Sequence, residues 1–120
     1  MFVKNIDDCP AFTANDGCQI REWLHPFNDA VELPYSIATA SVAAGQSSYK
    51  HRLKQAEVYL IMQGEGVMHV DAEEKNVITG DSVLIPAHSI QWIENTGTDE
   101  LQFIAIVSPP WREEDDLRLE

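Results

Sequence analysis

The chain has 120 residues, 44% of them hydrophobic, with 20 acidic and 8 basic side chains and a formal net charge of -12. That length allows one domain, residues 1–120, around one modest core. The acidic excess excludes nucleic acid as a partner, because such binding runs on Lys and Arg neutralising phosphates. A mean hydropathy of -0.23, and no apolar run near the ~20 residues a spanning helix needs, argue against a membrane partner. Residues 1–8 lack the apolar centre of a secretory leader, which favours a cytoplasmic location. Cys9 and Cys18 are then expected as reduced thiols without an assigned role.

In chain order, strands are expected at 20–24, 35–43, 57–62, 67–71, 76–78, 82–85, 90–94 and 101–107, several carrying Val, Ile, Tyr, Phe or Trp in alternation. Between them fall reversals at Gly64-Glu65-Gly66, the polar run 71–75, Gly80-Asp81 and Asn95-Thr96-Gly97-Thr98. No stretch keeps the spacing of a long amphipathic helix, so the reading is all-β. The segments 1–34 and 108–120, rich in Pro and acid, are expected as arms outside the barrel. The closing run 113–116 is expected as a solvated surface.

Two segments carry the chemistry. Residues 45–64 hold Gly45, His51, Glu57 and Gly64, and residues 80–95 hold Gly80, Pro86 and Asn95. In spacing and identity they resemble the two motifs of the cupin family, with Leu53 where the second histidine of the first motif stands, and His88 and Gln91 where the second motif has its glycine and histidine. The resemblance implies a double-stranded β-helix, a jelly-roll barrel of two antiparallel sheets. It also implies a divalent metal ion (Mn, Fe, Ni or Zn) and isomerase, decarboxylase or dioxygenase chemistry, and it points to a homodimer in which the N-terminal segment, the strand 20–24 or the Trp111 tail covers a partner's sheet edge.

The residues themselves speak to one face. His51, Leu53, Glu57, Tyr59 and Ile61 are all odd-numbered and project together from extended chain, with Val58, Leu60 and Met62 opposite; Gln91, Ile93 and Asn95 likewise share a face. His51, Glu57 and Gln91 are therefore the candidate metal ligands, and Gln91, Tyr59 and Tyr35 the candidate ligand-binding side chains. With an alkyl group at one imidazole position and a carboxamide at another, the set has two readings: a metal-dependent enzyme, or a metal-free module binding a sugar-like or carboxylate metabolite without turnover. Oxygen activation ranks below Lewis-acid chemistry, since only His51 is supplied by motif where two histidines are wanted. His88 is expected on an exposed loop, and His25 and His69 are left outside the site.

Overall fold

Extended segments of period two need partners for their backbone groups and cover for one face, and a closed pair of sheets supplies both. The computed structural model describes residues 1–120. Its strands are β1 (Ala11–Thr13), β2 (Gln19–Leu24), β3 (Ser36–Val42), β4 (His51–Leu53), β5 (Ala56–Gln63), β6 (Glu65–Val70), β7 (Glu73–Ile78), β8 (Ser82–Ile85), β9 (Ile90–Asn95), β10 (Leu101–Ser108) and β11 (Asp116–Arg118). They form two antiparallel sheets, ordered β1-β2-β3-β10-β5-β8 and β11-β4-β9-β6-β7. This is the all-β jelly roll that the motifs imply.

The alternation decides the inside. Along β10, Leu101, Phe103, Ala105 and Val107 are buried; along β5, Glu57, Tyr59 and Ile61; along β9, Gln91, Ile93 and Asn95. Phe103 sits in a cluster with Ile61, Met68, Ile93 and Leu101, and its ring lies 4.2 Å from that of Tyr59. Gly64 turns β5 into β6 with φ at 88°, and a side chain there would meet the Glu100 carbonyl oxygen at 3.0 Å and Leu101 Cα at 3.2 Å.

All eight expected strands are present with small shifts at their ends. The polar run 71–75 is shorter as a turn than its composition suggests: β7 begins at Glu73, and only Asp71 and Ala72 reverse the chain, with Asp71 at a φ of 52°. The arms are a correction. Neither lies outside the barrel: β1 and β2 extend the six-stranded sheet, and β11 pairs with β4 at the edge of the five-stranded one. The tail is held by the Leu119 N–H donating to the Lys50 carbonyl at 2.8 Å and the Lys50 N–H donating to Glu120 Oε1 at 2.7 Å. Nor is the run 113–116 simply solvated, because the Asp116 side chain is only 5% exposed. The Trp111 tail, expected on a partner's edge, packs within its own chain, where its N–H donates to Ser36 Oγ at 2.9 Å.

Candidate functional site

The register sets His51 on β4 directly across from Gln91 on β9, both pointing into the barrel from the five-stranded sheet. From the facing sheet, β5 presents Glu57 and Tyr59 to the same space. Three of these side chains are joined by hydrogen bonds. Tyr59 Oη donates to Gln91 Oε1 at 3.0 Å, and Gln91 Nε2 donates to Glu57 Oε1 at 3.0 Å. Gln91 is 1% exposed, so this chain of hydrogen bonds satisfies an amide that would otherwise be costly to bury.

His51 is held differently. Its Nδ1 donates to Asp116 Oδ1 at 2.8 Å, and Asp116 Oδ2 accepts from Trp111 Nε1 at 3.1 Å. This bond puts a ring proton on Nδ1. Nε2 is buried and has no hydrogen-bond partner; the nearest carboxylate oxygen, Asp16 Oδ2, is 3.5 Å away. Asp16 is itself fixed by accepting the Cys18 N–H through Oδ1 at 3.0 Å.

Burial pushes the Glu57 carboxyl up to about 8; the charge of His51 and the Gln91 hydrogen bond pull it down, but less strongly, so it is protonated at neutral pH. For His51, burial alone would favour the neutral ring. The Asp116 hydrogen bond and the charges of Asp16 and Asp116 outweigh it, and its pKa is raised. Burial likewise raises Tyr59, and raises the Cys18 thiol with help from Asp16, so neither ionises readily.

His51, Glu57, Asp16 and Asp116 border one cavity of ≈ 60 Å³, whose apolar walls include Ile20, Ile37, Val107 and Trp111. Asp16 and Asp116 carry no signal in either motif and Trp111 is expected only at a partner's edge, and all three come from the segments expected as external arms. His25 also belongs here: it is buried, lines the cavity, accepts the Phe27 N–H on Nδ1 at 3.1 Å and meets the Trp111 carbonyl through Nε2 at 2.7 Å. Tyr35 is half-buried just before β3 and does not line the cavity. His88 is exposed at a φ of 69°, on its loop as expected. His69 stacks on Trp92 on the outer face, ring centroids 4.1 Å apart.

A divalent ion needs several deprotonated donors aimed at one point. The residues here do not fit that demand. No three His, Cys, Asp or Glu side chains converge as a metal cluster. Asp116 binds the Nδ1 edge of His51 while Asp16 faces its Nε2 edge, so the two carboxylates flank the ring on different sides. Gln91 spends its carbonyl on Tyr59 and its amide on Glu57. Leu53, 1% exposed, closes a third position with hydrocarbon.

Residues 38–107 match the cupin domain family. The chain is a cupin. It is 35% identical over 115 residues to an uncharacterized protein of Methanocaldococcus jannaschii, covering 95% of this chain and 91% of that one. It is also 34% identical over 72 residues to the oxalate-binding protein of Thermotoga maritima, 59% of this cupin and 60% of that protein. Among solved structures, a cupin 2 conserved barrel domain protein from Salinispora arenicola superposes with a TM-score of 0.77 at 22% identity, over 90% of this chain and 88% of that one, a likeness of fold.

Proposed function

We propose that this cupin binds a small, polar organic molecule in the cavity beside His51, through side chains and without a resident metal. The observation that carries the reading is the Nε2 of His51: a ring nitrogen buried at 3% residue exposure, beside a cavity, that makes no hydrogen bond in the protein and has only Asp16 Oδ2, at 3.5 Å, for a polar neighbour. Leaving such a group unsatisfied costs about 1–3 kcal/mol, so a ligand group that hydrogen-bonds to it recovers energy that the empty fold forgoes. The relative's oxalate supports a small organic ligand as the class. A dicarboxylate, however, would face Asp16 and Asp116 at close range, and a hydroxyl- or amine-bearing molecule suits these walls better.

A panel of small polar metabolites with oxalate among them, screened by amide chemical shifts on labelled protein, tests this. Donor-bearing members should move amides around the cavity in the parent and not in His51→Phe. Hits that persist in His51→Phe, or that map elsewhere, would overturn the reading.

The metal reading, a divalent ion on His51, Glu57 and Gln91, rests on motif position, and metal stoichiometry decides it. Self-association, if it occurs, has the edge strand β8 available, where Leu84 is 70% exposed. Sedimentation velocity at micromolar concentration would reveal a dimer, and Leu84→Lys should weaken one built on that edge.

A further inference from the structure

Four carboxyl groups border the cavity, those of Asp16, Glu22, Glu57 and Asp116, against two imidazoles and no Lys or Arg. The bonding of His25 makes it neutral: Nδ1 accepts a backbone N–H, so the ring's one proton sits on Nε2 and is donated to the Trp111 carbonyl. Glu57 adds no positive charge in either state of its carboxyl. The balance is then Asp16, Glu22 and Asp116 against at most one positive ring, His51, so the cavity is negative in either state of that ring. Apolar walls strengthen such a field relative to open water.

The independent sign of a ligand is the unpartnered Nε2 of His51, which lies 3.5 Å from Asp16 Oδ2. In the neutral ring these are two acceptors side by side. A carboxylate offers them no donor and a hydroxyl offers one, whereas an ammonium group offers three together with a positive charge. We propose that the cavity takes a small primary amine in its ammonium form, donating to Asp16 Oδ2 and, with the His51 ring held neutral by the bound cation, to His51 Nε2, its apolar body against Ile20, Ile37, Val107 and Trp111. This rests on the small-molecule reading above and names the chemical class. A cavity of ≈ 60 Å³ corresponds to about four to six water positions, so the body is a short one.

Three probes of matched shape test it: isobutylammonium, isobutanol and isobutyrate, each titrated into the full labelled chain while amides of cavity residues are followed by NMR. Isobutylammonium should bind about tenfold or more tightly than isobutanol, and isobutyrate should not bind. Asp16→Asn, whose side-chain oxygen can still accept the Cys18 N–H, should bring the amine down to the level of the alcohol. Should that variant fail to fold, the parent still decides: added salt should weaken the amine and leave the alcohol unchanged. Equal affinity for amine and alcohol, or an amine indifferent to salt, would overturn the charge preference and leave the small-molecule pocket standing. Preference for isobutyrate would overturn the proposal, and no response from any of the three would overturn it together with the pocket.

Discussion

Along β10 the barrel changes character. Around Leu101 and Phe103, the interior is filled by Ile61, Met68 and Ile93, and the buried polar residue on that side, Asn95, is fully bonded: Nδ2 donates to the carbonyls of Val42 and Asp99, and Oδ1 accepts the Gly97 N–H. Around Val107, paired with Glu57 and Ser36, four carboxyl groups and His51 crowd about a cavity, and His51 Nε2 makes no hydrogen bond. The two buried side-chain atoms without a hydrogen bond, His51 Nε2 and Gln55 Oε1, both lie away from the packed end, and His51 Nε2 is the one whose residue borders the cavity. A chain able to satisfy every hydrogen-bonding atom of the Asn95 side chain has left the other end incomplete, as a binding site must be.

The sharpest way to break the packed end is Phe103→Ala, which empties the centre of the cluster. A loss of about 3–5 kcal/mol is expected in urea denaturation; a loss under about 1 kcal/mol would deny that this end is the stabilising one.

At the site end the comparison is sharpened by pH. The folded pKa of Glu57, about 8, lies above its ordinary value of 4.5, so the folded state holds a proton the unfolded chain has released. The stabilisation due to that proton is fully present below about pH 4.5 and drains away as the pH climbs toward 8, by at most about 1.4 kcal/mol per pH unit. Glu57→Gln mimics the protonated acid and removes this dependence. Its stability relative to the parent should therefore rise from pH 5 to pH 8 in paired denaturation curves. A constant difference across that range would mean that Glu57 is ionised in the fold.

Gly64→Val at the packed end combines an unsuitable φ with contact against the Glu100 backbone and should cost more than about 1 kcal/mol. Melting like the parent would contradict the tight turn. Near the site but on the surface, Lys54→Ala breaks an exposed pairing with Asp115 at 3.8 Å, and a change within about 0.5 kcal/mol is expected. A larger loss would show that the tail is tethered by charge more than by its β11 pairing.

What the sequence made legible follows the same division. Period-two alternation is local, so the inward faces of β5 and β9, and the meeting of His51, Glu57, Tyr59 and Gln91, could be read from spacing and the two motifs. The three strands of three residues, β1, β4 and β11, are too short to show a period and owe their existence to long-range pairing. Asp16 and Asp116 flank His51 from positions 100 residues apart, and no local pattern announces that. Asp116 was hidden inside an acidic run whose other members do face solvent or its margin. The one signal available was the departure from the motif itself: with Leu53 and Gln91 in place of imidazoles, the partners of His51 had to come from elsewhere in the chain.

The central claim is that His51 is built into a hydrogen-bonding pocket for an organic ligand and not into a metal centre. Elemental analysis of untagged protein, incubated with Mn(II), Fe(II), Ni(II) or Zn(II) and then dialysed, tests this most directly. The structure predicts far less than one ion per chain, unchanged in His51→Gln. One ion per chain that disappears in His51→Gln would contradict it.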